Sequence, residues 1–211
     1  PLEQAQALAE RLGALGVPVW VALSTAANWR WLAKTSGKAA CGAAIKADAY
    51  GVGARDTLLR LAKAGCRDFF VTTWAEADEL MPLLGEASLS VLHGVAEEDA
   101  QIAAGSRARP VLNTAAQVQR WRAFGSGRPC DVMVDTGMNR LGLSVVDVAG
   151  GLLDGLEIET LMSHLACADE DVAMNARQRD AFLAAAAKVP AKRLSLANSA
   201  GVCLGADYAF D

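Results

Sequence analysis

The feature that most constrains the fold is a regular alternation of short apolar runs with helical patterns. Each run is short enough to be a strand buried on both faces of a sheet. The segments between the runs repeat hydrophobic residues at helical spacing. This order predicts parallel βα units, which build either a doubly wound sheet or a (β/α)8 barrel. The seven runs lie near residues 40–45, 69–71, 89–92, 111–112, 132–134, 158–162 and 194–196.

The length and composition favour a single α/β domain. A chain of 211 residues with 53% hydrophobic content is long enough to bury a sizeable core. A (β/α)8 barrel needs an eighth strand, which would have to begin near residues 208–210, at the end of the sequence. We therefore predict a TIM-type barrel, truncated before its eighth strand, over residues 17–211. Residues 1–16, in which Ala5, Leu8 and Leu12 share one helical face, are predicted to be an amino-terminal helical extension.

Charge and cysteine content exclude several classes of protein. The net charge is −4 without a dense Lys/Arg run, which argues against nucleic acid and anionic membrane surfaces as partners. No apolar run approaches the roughly 18 residues of a membrane span. The five cysteines are odd in number and form no C-x-x-C pair, which indicates reduced, packed thiols rather than disulfides or zinc ligands. We expect a cytoplasmic protein without a metal site.

Lys46 is the most informative single residue. It ends the apolar run C-G-A-A-I-K-A, where burial of an unpaired ammonium would be costly. One interpretation is a strand-end lysine that reaches solvent. The other is a Schiff-base lysine, whose amine becomes reactive when desolvation lowers its pKa. The residues that follow supply the phenol of Tyr50 and two glycines, Gly51 and Gly53, that allow close approach of a ligand or simply make a turn.

Three further polar clusters each follow an apolar run. V-D-T-G-M-N-R-L-G contains Arg140, which could bind a carboxylate through two hydrogen bonds or belong to a polar surface turn. M-S-H-L-A-C-A-D contains His164, and most lone histidines are structural. S-L-A-N-S-A-G contains Asn198 and Ser199, which could hold a phosphate or cap a helix. All four clusters fall at the carboxyl ends of predicted strands, which form the active face of a barrel.

The four motifs, in this order and at these separations, resemble alanine racemase, a pyridoxal-phosphate enzyme built on a barrel. The match runs over residues 17–211, which is only the amino-terminal part of a typical family member. The resemblance implies that Lys46 forms the internal aldimine with pyridoxal 5'-phosphate and acts as one of two catalytic bases. It also implies that Tyr50, Asn198 and Ser199 help to hold the cofactor phosphate.

The remaining implied roles concern the substrate. Arg140 would contact the phenolic oxygen of the cofactor and the carboxylate of alanine. The backbone at Met138 would lie close to the substrate, and His164 would orient catalytic partners. The reaction implied by the resemblance is the interconversion of L- and D-alanine, by proton transfer between two bases on opposite faces of the cofactor imine.

Three departures from the family pattern bear on activity. The family's opposite base is a tyrosine from a carboxyl-terminal β domain of the partner subunit in a homodimer, and this sequence contains no such domain. The arginine, glycine and tyrosine that follow strand eight would lie beyond Asp211. Many members carry a carbamylated lysine where this chain has Met133. We therefore expect the 211-residue chain by itself to be inactive or nearly so.

Three alternative functions remain open on sequence grounds. The first is a broad-specificity amino-acid racemase of the same fold class. The second is a barrel protein that binds pyridoxal phosphate without turnover, against which the carboxylate-binding character of Arg140 argues. The third is a structural α/β domain without a ligand, which would require Lys46 to be an ordinary surface lysine.

Overall fold

The computed structural model describes residues 25–125 and 127–211. The predicted helical extension over residues 1–16 therefore lies outside the described residues, as do residues 17–24 of the predicted barrel. The first described helix, α1, spans Thr25–Thr35. No helix in the described ranges is long and apolar enough to cross a lipid bilayer.

Seven parallel strands follow the predicted apolar runs closely. Every predicted run overlaps one strand, so the strand assignment is confirmed. The strands are β1 (Ala43–Ala44), β2 (Asp68–Val71), β3 (Ser88–Val91), β4 (Arg109–Leu112), β5 (Cys130–Met133), β6 (Ile158–Met162) and β7 (Arg193–Ser195).

Helices connect successive strands, and some of them begin at a side chain that accepts a free backbone amide. Thr73 and Glu76 form the reciprocal capping box of the helix after β2. Thr114 caps the helix after β4 by accepting the Gln117 amide. After α1, the helices are α2 (Ala54–Ala64), α3 (Trp74–Leu80), α4 (Ala100–Gly105), α5 (Ala115–Phe124), α6 (Val145–Ala149) and α7 (Ala173–Ala186), with 3₁₀ turns at Met81–Leu83, Gly201–Leu204 and Ala206–Tyr208.

The strand order shows that the sheet is a curled barrel rather than a doubly wound sheet. The seven strands lie side by side in sequence order without the reversal that a doubly wound sheet requires. In a flat sheet, β2 and β7 would be about 24 Å apart, at five strand spacings. Instead, Arg193 on β7 lies 2.9 Å from the Asp68 carboxylate on β2. The structure is therefore the incomplete barrel that the sequence predicts.

The outer layer of the core is apolar. Side chains from the helices fill the space between the helices and the sheet, and the largest are fully or almost fully buried. They include Leu58, Trp74, Leu80, Trp121 and Phe182. Two cysteines also lie in this layer, and burial raises the pKa of the Cys66 and Cys130 thiols to about 12. These two thiols are packed as predicted, whereas Cys203 is exposed.

The interior of the barrel is polar at one end and apolar at the other. At the amino ends of the strands, Arg109 forms an ion pair with the fully buried Asp131. Near the carboxyl ends, Val111, Met133 and Met162 form a small buried cluster, against which Phe70 and Leu92 pack. The apolar cluster closes the barrel beneath the face on which the polar motifs lie. A ligand bound on that face would therefore lie over apolar side chains that exclude water.

The ion pair between Asp68 and Arg193 should contribute to acid stability. Burial opposes the charge of Asp68, but hydrogen bonds from Arg193 and Ser88 outweigh it and lower the pKa of the carboxyl. A lowered pKa gives stabilisation that is present above the ordinary value of about 3.9 and is lost as the pH falls. Asp68→Asn should therefore cost about 1–3 kcal/mol at pH 7 and progressively less towards pH 3.

Urea unfolding between pH 3 and pH 7 measures this effect. Asp78→Asn, which changes an exposed carboxylate on α3, is the matched control and should stay close to the parent at every pH. An Asp68→Asn penalty that did not shrink on acidification would contradict the assignment.

Candidate active site

A cavity of about 660 Å³ opens at the carboxyl ends of the strands. All four sequence motifs contribute to its lining, although they are far apart in the chain. Of the residues predicted to form the site, Met138 alone lies outside the lining, and its amide is bound to Asp135 instead. The predicted residues that line the cavity are Lys46, Tyr50, Arg140, His164, Asn198 and Ser199.

Lys46 lies at the junction of β1 and an unusual turn. The strand side is held by a 2.8 Å hydrogen bond from Ile45 N to Phe70 O on β2. On the other side, residues 47–50 all have φ between 50° and 59°, which makes one turn of left-handed helix. This conformation costs roughly 1–2 kcal/mol for each L-residue. The turn therefore depends on contacts with its surroundings.

Two carboxylates hold this turn. Asp48 Oδ1 accepts a 2.7 Å hydrogen bond from Ala54 N at the start of α2. Glu76 Oε1 on α3 accepts a 2.5 Å hydrogen bond from Ala47 N. The sequence suggested a glycine turn here but gave no sign of a run of left-handed residues, because alanine and tyrosine rarely adopt that conformation.

The loop that carries Arg140 is organised by Asp135. Its Oδ1 accepts three successive amides, at 2.8 Å from Gly137 N, 2.9 Å from Met138 N and 3.1 Å from Asn139 N. This bonding wraps the backbone around one carboxylate oxygen and leaves the Arg140 side chain exposed over the cavity. Asp135 was part of the motif in the sequence, but its role in folding the loop depends on the three-dimensional turn.

Gln178 on α7 links the Arg140 loop to the His164 loop. This side chain is completely buried. Its Nε2 donates to Thr136 Oγ1 at 3.3 Å and to His164 O at 3.0 Å, and its Oε1 accepts from Ala166 N at 2.9 Å. Thr136 and Ser163 hydroxyls also lie 2.8 Å apart. No sequence signal pointed to Gln178, because it lies on a helix remote from the four motifs.

The charges around the cavity are predominantly positive. Burial, together with the positive charges of Arg140 and Lys46, lowers the pKa of His164. The imidazole is therefore neutral at neutral pH. Among the described lining residues, the one carboxylate is that of Asp211, which accepts the Leu194 amide at 2.9 Å. The cavity thus suits an anionic ligand.

Asn198 and Ser199 differ in how freely they can meet a ligand. Asn198 Oδ1 accepts a 2.9 Å hydrogen bond from Gly201 N, and its Nδ2 lies 3.5 Å from Leu165 O. Asn198 thus holds the backbone of the turn that follows β7. Ser199 is exposed and lines the cavity. Its hydroxyl is the more available group of the two.

Met133 contributes an apolar side chain to the lining of the cavity that Arg140 also lines. It is 8% exposed and packs in the small cluster with Val111 and Met162. Within the described ranges, no ion pair holds Arg140. The guanidinium is thus free to pair with an anion in the cavity.

Comparison with known proteins identifies the family. Residues 22–211 match the family model for the N-terminal domain of alanine racemase, which is most of the chain. The chain belongs to the alanine racemase family. This alanine racemase domain is 43% identical over 198 residues to the alanine racemase of Acidiphilium cryptum, and the alignment covers 89% of this chain and 55% of that protein. The enzyme of Rhodospirillum rubrum is 42% identical over 184 residues, covering 82% of this chain and 49% of that protein.

A solved structure confirms the fold. The alanine racemase of Bartonella henselae, whose crystal structure has covalently bound pyridoxal phosphate, superposes with a TM-score of 0.82 at 33% identity. The match covers 89% of this chain and 55% of that one. The chain therefore spans about half the length of the relatives that it matches.

Proposed function

We propose that this chain is the cofactor-binding part of an enzyme that interconverts L- and D-alanine with pyridoxal 5'-phosphate. The observation that supports the proposal best is the convergence of Lys46, Arg140 and His164 on one cavity above an apolar floor. An amine that can form an imine lies there beside a guanidinium that can bind a carboxylate. The relatives named above supply the reaction class.

The lining fits pyridoxal phosphate in its chemical groups. A planar aromatic ring needs apolar surface, which Phe70 and Leu92 provide at the cavity wall. A phosphate needs hydroxyl and amide donors, and Tyr50 and Ser199 are exposed there. A phenolic oxygen needs a cation, which Arg140 offers. We therefore infer that Lys46, Tyr50, Arg140, Asn198 and Ser199 hold this cofactor.

The mechanism assigns a task to each of these side chains. When bound, the cofactor spreads into its ring the negative charge left on the α-carbon by loss of a proton. The Lys46 amine accepts that proton on one face and returns it. Arg140 binds the substrate carboxylate through two hydrogen bonds, so the α-carbon is held beside Lys46. His164 stays neutral and fixes the orientation of its neighbours.

The second base and the assembly are further parts of the proposal. We infer that a tyrosine of a partner subunit supplies the proton on the opposite face, in a homodimer. The backbone at Met138 would then border the substrate from the Arg140 loop. The present chain alone would exchange protons on one face, and its racemase activity would be nil or nearly so. The two buried thiols support a reducing, cytoplasmic location.

Trapping of the cofactor lysine tests the proposal. Mixing the protein with pyridoxal phosphate, reducing with borohydride and mapping the peptides should place the label on Lys46. Lys46→Ala should remove nearly all of that label, because no other amine in the described cavity lining can take its place. Lys63→Ala, which removes an exposed lysine on α2, should leave the label on Lys46 unchanged.

The opposite result is equally informative. If the label were scattered over exposed lysines, or if Lys46→Ala and Lys63→Ala gave the same labelling, the chain would have no working cofactor site. The proposal would then be wrong, whatever the ancestry of the domain.

A further inference from the structure

The Glu76 carboxylate joins two segments that meet at Lys46. One oxygen, Oε1, accepts the Ala47 amide at 2.5 Å. The other, Oε2, accepts the amides of Thr72 and Thr73 at 2.7 and 2.9 Å, just after β2 ends. A single side chain thus ties the residue after Lys46 to the end of the neighbouring strand.

The backbone is consequently fixed on both sides of Lys46. The amide before it, Ile45 N, donates to Phe70 O at 2.8 Å. The amide after it, Ala47 N, donates to Glu76 Oε1. With the residues on both sides of Lys46 anchored to β2 or to the helix that follows it, the Lys46 side chain leaves the backbone in one direction. That direction leads into the cavity that Lys46 lines.

The anchor at Ala47 lies at the start of the strained left-handed turn. Ala47 is the first of the four left-handed residues, with φ 50° and ψ 52°. An L-residue leaves this conformation readily unless its surroundings enforce it. A carboxylate is well suited to the task, because hydrogen bonds to a charged acceptor are roughly twice as strong as neutral ones. A glutamine at this position would instead place its side-chain NH2 group, a donor, opposite one of the backbone N–H groups that the carboxylate accepts.

We propose that Glu76 is a positioning residue for Lys46, whose carboxylate holds the left-handed turn so that the lysine amine faces the cofactor. This inference rests on the function proposed above and adds a residue to it. Glu76 is also the capping-box partner of Thr73 at the start of α3. Oε2 serves that cap, whereas Oε1 accepts the Ala47 amide and so links the cap of α3 to the reactive lysine.

The ionisation of Glu76 agrees with this role. Burial opposes the charge, but hydrogen bonds from the amides of Thr73, Ala47 and Thr72 outweigh it and lower the pKa of the carboxyl. The group is therefore ionised at neutral pH, as an acceptor of three amides must be. Glu79, three residues further along α3, is exposed and offers a matched side chain without this environment.

The test compares Glu76→Gln with two control variants. Glu79→Gln makes the same chemical change on the same helix. Thr73→Ala removes the hydroxyl that accepts the Glu76 amide and lies 3.4 Å from Glu76 Oε2, so it weakens the helix cap while the hydrogen bond from Ala47 to Oε1 is kept. Pyridoxal phosphate is titrated into each full chain, its attachment to Lys46 is quantified by borohydride trapping, and exchange of the Ala47 amide is followed in the unliganded protein.

We expect Glu76→Gln to weaken pyridoxal phosphate attachment at Lys46 by about 10- to 100-fold and to accelerate exchange of the Ala47 amide by a similar factor. Both controls should match the parent protein in cofactor affinity, although Thr73→Ala should melt at a lower temperature. Glu76→Asp, which keeps the charge but is one methylene shorter, should recover part of the affinity.

Two results would overturn the inference in distinguishable ways. Faster Ala47 exchange in Glu76→Gln with unchanged affinity at Lys46 would show that the turn is held by Glu76 but that the lysine does not depend on it. A parent protein that takes no label at Lys46 would remove the proposed function itself, and this inference with it.

Discussion

Replacing Arg109 by methionine will lower the free energy of unfolding by about 3–5 kcal/mol, because it leaves a buried aspartate without its cation. The Arg109 guanidinium lies 3.2 Å from the Asp131 carboxylate, whose side chain is completely inaccessible to solvent. Ser90 Oγ at 2.6 Å and Thr160 N at 3.1 Å complete its hydrogen bonds. These two neutral donors do not compensate for the lost positive charge.

A second substitution separates the contribution of the Arg109 charge to stability from the contribution of its packing. Asp131→Asn retains an oxygen for the Thr160 amide and needs no counter-ion. We therefore expect Arg109→Met combined with Asp131→Asn to unfold within about 1–2 kcal/mol of the parent, measured by urea titration. A double variant as unstable as Arg109→Met alone would show that the arginine stabilises the barrel by packing, not by neutralising Asp131.

The loss of stability caused by Arg109→Met should also depend on pH in a defined direction. Burial raises the pKa of Asp131, and the charge of Arg109 opposes this effect. Without the arginine, the pKa in the folded state rises further, while the unfolded value stays near about 3.9. The folded protein then binds more protons than the unfolded chain above that pH, so its stability falls as the pH increases. Arg109→Met should accordingly be less destabilised at pH 5 than at pH 8.

The fold was largely predictable because apolar runs mark strands that are buried on both faces. Each predicted run falls on a strand. The strand ends were less predictable. Arg109 and Asp131 lie within strands but were left outside the apolar runs, because a polar barrel interior breaks the hydrophobic pattern. From sequence alone, a charged residue in a strand is easily assigned to a loop, because the partner that neutralises it in the barrel is not known.

The candidate site was predictable as a set of positions, but not in its supporting contacts. Lys46, Arg140 and His164 follow strands, and parallel strands bring their carboxyl ends to one face. The bond between Glu76 and Ala47 and the contacts of Gln178 could not be assigned, because these partners are distant in sequence and the bonds go mainly to backbone atoms. A hydrogen bond to a backbone atom does not depend on which residue supplies that atom, so the sequence gives no sign of it. The supporting contacts of a site are for this reason harder to predict than its reactive groups.

Gly142→Ala is expected to lower the free energy of unfolding about as much as Arg109→Met does. The cause is strain in the backbone rather than the loss of a charge. Gly142 has φ +123°, and a Cβ there would lie 2.6 Å from Asp135 N and 2.8 Å from Val134 C. Both are backbone atoms, which cannot turn aside as a side chain would. Strain of about 1–3 kcal/mol from φ and a similar amount from overpacking give an expected loss of about 2–6 kcal/mol.

A second glycine separates these two contributions. Gly205 has a similar φ of +112°, but a Cβ there would meet no atom within 4 Å. Gly205→Ala should therefore show the conformational strain alone, and Gly142→Ala should be at least about 1 kcal/mol less stable in urea titration. Because Asp135 begins the loop that carries Arg140, the shift forced on it should also weaken pyridoxal phosphate binding in Gly142→Ala and not in Gly205→Ala. Equal stabilities and equal affinities in the two variants would mean that the loop can move aside, and that its geometry does not set the position of Arg140.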